Sequence, residues 1–385
     1  MNSMARRTVG WLALLAVLLA GPVGSAAAGE FKFALILPLT GGSAAYGRDQ
    51  TVGAEFGVED VNARGGILGD KLVMIKEDSA ADPKRGITAF NKVVEVDRVP
   101  VVVSAWSSVI LALAPVAAEK NVLLISDGSS APAVVAASPM TVSVYPVATV
   151  DQNALAVYAY KDLGKRRAAL IWIGNDTGRL PRDVFKKRWL DLGGKIVAEE
   201  EHAPDAIDFS AQVAKIKAAN PDLLWVMSLI KESPVIAKQA RELGITAQIV
   251  SYSAVENKIY VDQAGQAAEG TIYTSAAPPH DAEVEKFVAR FKAKVGREPN
   301  GLNYVLYLYN APFMVAKAME YLKKQGWEYN GPNMKKAMFA VKDYDLRYLG
   351  RITMVEPGTV ITPVTIKQVQ GGKFVPLKVM PVGSF

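Results

Sequence analysis

The sequence predicts an α/β protein of two Rossmann-like lobes joined by a three-stranded hinge. Its 385 residues, half of them hydrophobic, are enough for about two domains. Short apolar runs alternate with segments of helical spacing, which is typical of parallel strands joined by crossover helices. The alternation pauses at a stretch rich in proline and serine, Ser129–Pro146, starts again, and stops near the carboxyl terminus.

The first lobe is predicted from four strands and three helices. Their order is strand Phe31–Leu37, helix Gly47–Ala63, strand Lys71–Glu77, helix Pro83–Asp97, strand Val99–Trp106, helix Val109–Lys120 and strand Val122–Ile125. Ala54, Val58 and Val61 share one face of the first helix, and Gly65 follows as a helix terminator. Pro83 stands in the first turn of the second helix, where proline is favoured.

The second lobe repeats the pattern without repeating the sequence. Its predicted order is helix Asp151–Leu163, strand Ala168–Gly174, helix Arg182–Leu192, strand Lys195–Glu201, helix Phe209–Ala219, strand Asp222–Ser228, helix Ser233–Leu243 and strand Gln248–Tyr252. Gly193 and Gly244 directly follow two of these helices, as expected at helix ends. Two similar α/β units in series are therefore predicted.

The last third of the chain departs from the alternation. Its predicted elements are strand Thr271–Ala276, connector Ala277–Pro279, helices Asp281–Val295, Leu302–Lys324 and Asn333–Val341, and strands near Leu346–Val355 and Val360–Val369. We expect the chain to cross back to the first lobe near Pro278 and to return near residues 342–346. The expected lobes are residues 29–147 with 277–343, and residues 148–276 with 344–385. Three crossings would form a hinge that closes the lobes on a ligand.

Residues 1–28 read as a secretory signal peptide. Arg6 and Arg7 form a positive start, Trp11–Ala20 is a short apolar core, and small residues precede an expected cleavage site before Gly29. The paired arginines also raise a twin-arginine export route, which the following residues match poorly. No later stretch has eighteen uncharged apolar residues, so we expect a soluble protein of the periplasm.

Composition and motifs argue against several classes of function. The chain has no cysteine, which excludes disulfides, thiolate metal sites and a cysteine nucleophile. A net charge of +6 with both signs interspersed gives no nucleic-acid footprint. The two histidines lie in no motif, and no serine-hydrolase elbow, phosphate loop, zinc motif or dinucleotide fingerprint occurs. We therefore predict no catalytic residues, no metal and no cofactor. A hydrolase remains a weakly supported alternative.

Loops after the strands of the first lobe are candidate ligand contacts, because open parallel sheets bind ligands beyond the carboxyl ends of their strands. Ser107 and Ser108 precede a helix, so their hydroxyls and the free N–H groups of its first turn suit a carboxylate. Ser107 could instead only cap that helix. Tyr46 and Trp106 lie at strand ends, where aromatic rings could enclose a ligand. Trp106 could equally be a core residue.

The loop after the fourth strand, Ser126–Ser130, offers similar candidate ligand contacts. Gly128 would let the backbone approach a ligand closely, and Ser129 and Ser130 add hydroxyls. An ordinary turn is the alternative. In the second lobe, Asn175 and Thr177 follow a strand and could donate hydrogen bonds, or could cap the next helix. The later strands of that lobe end at Leu229, Tyr252 and Ser253.

Several of these segments resemble one family of binding proteins. PLTGGSAAYG at residues 38–47 and GAEFGVEDVNARGGILGDKLVMIKEDSAADPKRG after it are similar to the amino-terminal region of the leucine/isoleucine/valine-binding proteins of ABC transporters. The likeness extends through DLLWVM and AKQARELG to about residue 355. It implies the type I periplasmic-binding fold, closure on one small-molecule ligand, and delivery to an ABC permease in the inner membrane. A monomer is the default for such a carrier.

The resemblance covers the family's binding residues of the first lobe but not those of the second. The family's carboxylate-binding serine falls on Ser107, its fourth-strand loop on Gly128 and Ser130, and its first-loop tyrosine on Tyr46. Two pocket tyrosines of the second lobe are replaced here, at Thr177 and Leu229. The acidic residue that pairs with the α-ammonium group of an amino acid is replaced by Ser253.

An ammonium group buried without a carboxylate partner costs several kcal/mol. We therefore expect a small organic acid with an aromatic or hydrophobic body. Aliphatic amino acids such as the branched-chain ones stay possible, with Glu256 or a main-chain carbonyl as partner for the ammonium group. An amide ligand, or an extracytoplasmic ligand sensor of the same fold, is the further alternative.

Overall fold

The structure is a computed structural model that describes residues 29–129, 131–276, 281–381 and 383–384. Within these ranges the chain forms two large β-sheets covered by helices and one small three-stranded sheet, which confirms the predicted α/β class. The predicted signal peptide lies outside the described residues. No helix in the described ranges is both long and apolar enough to cross a membrane.

The first lobe is built on a five-stranded parallel sheet. Its elements are β1 (Glu30–Leu37), α1 (Ala44–Ala63), β2 (Lys71–Asp78), α2 (Pro83–Glu95), β3 (Val101–Ser104), α3 (Ser107–Glu119), β4 (Leu123–Ser126), α4 (Ala133–Ala136) and β5 (Thr141–Ser143). The strand order is β2-β1-β3-β4-β5. Side chains of β1 alternate between two cores: Phe33 and Leu35 pack on the side of α1, whereas Ala34 and Ile36 pack on the side of α3. The sheet therefore has helices on both faces.

The second lobe follows the same plan. Its elements are α5 (Ala148–Lys161), β6 (Arg167–Ile173), α6 (Asp176–Asp191), β7 (Lys195–His202), α7 (Ser210–Ala218), β8 (Leu223–Met227), α8 (Glu232–Glu242), β9 (Gln248–Ser251), a 3₁₀ turn (Ser253–Val255), α9 (Lys258–Ala264), a second 3₁₀ turn (Gly265–Ala268) and β10 (Ile272–Ser275). Helix α6 begins earlier than predicted because the Asn175 side chain accepts a hydrogen bond from the Thr177 N–H at 3.0 Å and caps the helix.

The remaining elements are divided between the two lobes. They are α10 (Ala282–Val295), α11 (Leu302–Lys324), α12 (Gly331–Val341), β11 (Asp343–Leu346), β12 (Gly350–Val355), β13 (Thr359–Ile361), β14 (Val364–Gln370) and β15 (Lys373–Met380). Helices α10 to α12 pack into the same hydrophobic core as α1 and β1. Strands β14 and β15 extend the second sheet, whose order is β15-β14-β10-β9-β8-β6-β7.

The third crossing between the lobes lies later in the chain than residues 342–346, so that prediction is wrong. Strands β11 to β13 form the small sheet, and Tyr344, Ile352 and Val360 are buried in the core of the first lobe. The N–H of Ser143 on β5 donates to the carbonyl of Gly358 at 2.7 Å, which ties this small sheet to the first lobe. After β10 the chain returns to the second sheet only at β14. The other expected boundaries of the lobes stay predictions.

Two glycines bring α1 and α11 into backbone contact. A Cβ atom on Gly53 would lie 2.5 Å from the carbonyl oxygen of Val305, and one on Gly57 would lie 2.2 Å from that of Tyr309. A side chain at either position would therefore force the helices apart. This close approach sets the beginning of α11 beside the beginning of α1, at the edge of the sheet where the cleft lies.

Candidate ligand-binding cleft

A cleft lies where the loops after β3 and β4 face those after β8 and β9. It encloses about 480 Å³, part of which is open to solvent. The lining residues of the first lobe are Ser43, Tyr46, Gln50, Ala105, Trp106, Ser107, Gly128 and Tyr304. Those of the second lobe are Thr177, Leu229, Ile230, Tyr252 and Ala254. Because both lobes contribute, a molecule in the cleft would be held between them.

Most of the residues predicted for the site meet at this cleft. Those that line it are Tyr46, Trp106, Ser107, Gly128, Thr177, Leu229 and Tyr252. Those that the structure describes but does not place in the lining are Ser108, Ser129, Asn175 and Ser253. Ser130 lies outside the described residues. The role of each in ligand binding stays a prediction.

The beginning of α3 presents hydrogen-bond donors to the cleft. The N-cap residue, Trp106, has a φ of +65° and makes no side-chain capping bond, and backbone strain of this kind concentrates at functional sites. The first intrahelical bond runs from Ile110 N–H to the Trp106 carbonyl at 2.9 Å, so the N–H groups before it are free of helix bonds. Ser107 is buried, and its Oγ accepts from the Ala131 N–H at 3.2 Å. Among the described residues no side chain caps the beginning of α3, so the alternative that Ser107 only caps its own helix is not supported.

The loop after β4 brings Gly128 to the same end of the cleft, with the buried Asp127 directly before it. Gly128 has a φ of +86°, and a Cβ atom there would lie 3.3 Å from the ring of Tyr304, so glycine allows the close approach. Asp127 is fully buried, and neither of its carboxyl oxygens has a hydrogen-bond partner among the described residues. Burial raises the pKa of Asp127 well above its usual range, which favours the uncharged acid. Ser129 is buried too.

Three tyrosines form much of the wall, and their hydroxyl groups are engaged by the protein. Tyr46 donates across the cleft to the carbonyl of Ala254 at 3.0 Å, and Tyr252 donates to the carbonyl of Ser228 at 3.3 Å. The rings of Tyr46 and Tyr304 are 6.1 Å apart. Burial raises the pKa of Tyr46 and of Tyr252 well above 10, so both present neutral rings to the cleft.

Ser253 lies behind this wall, at a junction between the lobes. Its hydroxyl is 2.7 Å from the hydroxyl of Tyr304 and 2.9 Å from that of Tyr145. The two tyrosines belong to the first lobe and stack with their ring centres 5.4 Å apart. Ser253 follows β9 of the second lobe, so this hydroxyl network connects the lobes directly.

The second-lobe side of the cleft is mainly apolar. Leu229 and Ile230 line it beside Thr177, which is buried in the first turn of α6. Asn175 is occupied as the N-cap of that helix, and the capping alternative is therefore the one the structure supports. The apolar side chains suit a hydrophobic ligand body.

No residue in the described lining carries a formal charge at neutral pH. Glu256, which was considered as a partner for an ammonium group, instead accepts a hydrogen bond from Lys367 Nζ on β14 at 2.6 Å. Their side chains are only 9% and 7% exposed, so this is a buried ion pair. No cluster of histidine, cysteine, aspartate or glutamate able to hold a metal ion occurs in the described ranges.

Sequence reasoning missed part of the lining. The additional residues are Ser43, Gln50, Ala105, Ile230, Ala254 and Tyr304. A signal existed for Gln50, because it lies one helical turn after Tyr46 and therefore on the same face of α1. No local signal existed for Tyr304, since it belongs to a helix that reaches the cleft only through the contact of α11 with α1.

The Asp151 side chain near the hinge should make stability depend on pH. Its Oδ1 is buried without a hydrogen-bond partner among the described residues, and burial raises its pKa to about 6 although Gln152 and Thr274 donate to Oδ2. An acid with a raised pKa in the folded protein destabilises it as pH rises from about 4 through the folded pKa. A folded pKa of about 6 against an ordinary value of about 4 corresponds to roughly 3 kcal/mol of stability.

We expect Asp151→Asn to be more stable than the wild type at pH 7, and to lose most of that advantage at pH 4. Urea unfolding of both proteins at pH 4, 5, 6 and 7 measures the difference. A difference that stays constant across these pH values would contradict the prediction.

Two facing sheets, one parallel and one mixed, with a lined cleft between them define a two-lobed ligand-binding protein. Residues 30–373 match the periplasmic binding protein family, and the chain belongs to that family. The Leu/Ile/Val-binding protein BraC3 of Rhizobium johnstonii is 33% identical over 254 residues, which span 64% of this chain and 68% of that protein. Members of the family are substrate-binding proteins of transporters rather than enzymes, and membership implies a periplasmic location.

Solved structures agree with this family. The leucine-binding protein LivK of Thermotoga maritima has a TM-score of 0.83 at 25% identity and covers 92% of this chain and 100% of its own. A solute-binding protein of an ABC transporter from Rhodopseudomonas palustris BisB5, solved with 3,4-dihydroxybenzoic acid, has a TM-score of 0.79 at 23% identity. It covers 91% of this chain and 97% of its own, and shows the fold alone. The resemblance to the leucine/isoleucine/valine-binding family, with its type I periplasmic-binding fold, is confirmed.

Proposed function

We propose that this protein binds a small organic acid with an aromatic or hydrophobic body and delivers it to the permease of an ABC importer. One observation carries the proposal: the cleft combines the uncapped beginning of α3 beside Ser107 with a described lining that holds no acidic side chain. Free helix N–H groups attract a carboxylate. An amino acid would also need a partner for its ammonium group, and a simple acid does not.

Different residues of the cleft would bind the carboxylate and the body of the ligand. Ser107, the backbone at Gly128 and the hydroxyls of Ser129 and Ser130 would hold the carboxylate, with Ser108 adding its N–H group. The rings of Tyr46, Trp106, Tyr252 and Tyr304 would enclose the body, and Thr177 and Leu229 would close on it from the second lobe. Burial raises the pKa of Asp127 and favours its uncharged form, which would not repel a carboxylate ligand as an ionised group would.

An aliphatic amino acid is the second candidate. The names of BraC3 and LivK, a Leu/Ile/Val-binding and a leucine-binding protein, favour it. The ion pair of Glu256 with Lys367 argues against Glu256 as partner for the ammonium group, so a main-chain carbonyl or the unpaired Oε1 of Gln50 would have to take that role. The protein solved with 3,4-dihydroxybenzoic acid illustrates the first candidate on the same fold.

A ligand panel separates the two candidates. The panel contains benzoate, phenylacetate, hexanoate, leucine, valine and benzamide, each tested by thermal shift and then by calorimetry. A ligand that binds only the folded state raises the melting temperature. The proposal expects shifts from the acids and none from leucine or valine. A shift from leucine or valine alone would replace it with the amino-acid function, and one from benzamide alone with an amide function.

Ser107→Ala should weaken binding of the acid that binds best by roughly 10- to 150-fold, because a hydrogen bond to a charged group is lost. Ser108→Ala is the matched control, since Ser108 is one residue further along α3 and its side chain is not in the lining. Calorimetry on both variants gives the comparison. Equal affinities for Ser107→Ala and the wild type would contradict the proposal that the carboxylate binds at Ser107.

The partner and oligomeric state follow from the same proposal. A carrier that hands one ligand to a permease works as a monomer, which size-exclusion chromatography with light scattering would measure. A sensor of this fold would dock to a receptor instead. Neighbouring genes for a permease and an ATPase favour transport, whereas genes for a kinase or regulator favour sensing.

A further inference from the structure

One polar group of the cleft has no hydrogen-bond partner among the described residues. Gln50 lies on α1, four residues after Tyr46, and lines the cleft with it. The Gln50 side chain is only 2% exposed, and its Oε1 atom is buried with no hydrogen-bond partner among the described residues. A buried amide oxygen that stays unpaired is costly, so such groups in native proteins normally have an explanation.

The neighbouring polar groups of the wall differ from Gln50 in this respect. The hydroxyl of Tyr46 donates to the carbonyl of Ala254, and the hydroxyl of Tyr304 is hydrogen-bonded to that of Ser253. These rings therefore offer mainly apolar surface to a ligand. Gln50 offers a hydrogen bond that nothing in the described protein uses.

Gln50 and Ser107 reach the cleft from opposite faces of the first sheet. Helix α1 packs in the core on one face, whereas α3 packs in the core on the other. A ligand with its carboxylate at the beginning of α3 would therefore extend over the edge of the sheet toward α1. There Gln50 and the rings of Tyr46 and Tyr304, which line the same cleft, would contact the rest of the ligand.

We propose that Gln50 is a specificity-determining residue that selects aromatic acids carrying a hydroxyl group on the ring, away from the carboxylate. This inference rests on the proposed function, since it takes the carboxylate to lie at Ser107. A hydroxyl group both donates and accepts, so it can pair with either end of the amide. A ring without such a group leaves Gln50 buried and unpaired, and sites of this kind reject analogues that lack the hydrogen-bonding group.

The test compares matched ligands on two proteins. The probes are 3-hydroxybenzoate and 4-hydroxybenzoate, each paired with the methylbenzoate of the same substitution, in which a methyl group of similar size cannot form hydrogen bonds. Leucine completes the set. The proteins are the wild type and Gln50→Leu, which keeps the approximate volume and removes the amide. Affinities are measured by calorimetry, and the methylbenzoates also report whether the variant cleft is intact.

We expect the wild type to bind at least one hydroxybenzoate roughly 5- to 150-fold more tightly than its methyl counterpart. In Gln50→Leu this ratio should fall to about 1, while affinity for the methylbenzoate is kept or improved. A ratio that is the same in both proteins, or no hydroxyl preference in the wild type, overturns the role of Gln50 but leaves the acid-binding proposal standing. Binding of leucine without any of the acids overturns both.

Discussion

Replacing Lys367 with methionine will lower the free energy of unfolding by roughly 3–5 kcal/mol, because it leaves the carboxylate of Glu256 buried without its partner. The two side chains are 2.6 Å apart, and both are almost fully buried. Lys367 lies on β14 and Glu256 directly follows the 3₁₀ turn after β9. The pair therefore holds the segment that carries Ser253 and Ala254 against the second sheet.

The double variant Lys367→Met with Glu256→Gln is the matched control. It removes both charges, so it should recover most of the stability lost in the single variant, since a buried ion pair and a neutral pair are often of similar stability. Denaturant unfolding of the wild type, both single variants and the double variant completes the cycle. Equal midpoints for Lys367→Met and the wild type would show that Glu256 is solvated or otherwise paired.

The same variants bear on the choice of ligand. If Glu256 contributed to binding an ammonium group, Glu256→Gln would abolish amino-acid binding and leave acids unaffected. The buried ion pair leads us to expect no such selective loss. The single variant Lys367→Met does not discriminate between ligands, because a folding defect lowers the apparent affinity for every ligand.

The predictable part of the fold was the part with a strong local pattern. Strand β8 is an uninterrupted apolar run, β1 ends in one at residues 33–37, and helices such as α2 have proline at their beginning and clear periodicity. Strand β15 was missed because Lys373–Met380 contains Pro376 and mixes charged with apolar residues. Such a composition is tolerated at the edge of a sheet, where β15 lies, because one side of an edge strand needs no ladder hydrogen bonds.

In the candidate site, too, only the residues with a local sequence signal could be predicted. Ser107 and Gly128 were found because they follow buried strands, and the carboxyl ends of parallel strands meet at one edge. Tyr304 could not be found in this way, because its position depends on the contact of Gly53 with Val305, far apart in sequence. Ser253 was found in the correct loop, but its side chain points to Tyr145 and Tyr304 rather than lining the cleft. Side-chain direction depends on tertiary packing that the sequence pattern does not carry.

Ser253→Ala will weaken ligand binding by roughly 5- to 150-fold while leaving each lobe folded. The Ser253 hydroxyl is the shared partner of the Tyr145 and Tyr304 hydroxyls, and all three side chains are buried where the lobes meet. Removing it leaves two buried tyrosine hydroxyls without this partner. In an open form with the lobes apart those hydroxyls would reach water, so the cost would apply to the closed form and appear as lost affinity.

Ser251→Ala is the matched control for this experiment. Ser251 is also buried, but its hydroxyl donates to the carbonyl of Val226 at 2.8 Å within the second sheet. We expect this variant to lose some stability and to keep the affinity of the wild type. Calorimetry with the best acid of the panel gives the affinities, and small-angle scattering reports lobe closure. If both variants lose affinity equally, the loss reflects general destabilisation, and the hydroxyl network does not couple closure to binding.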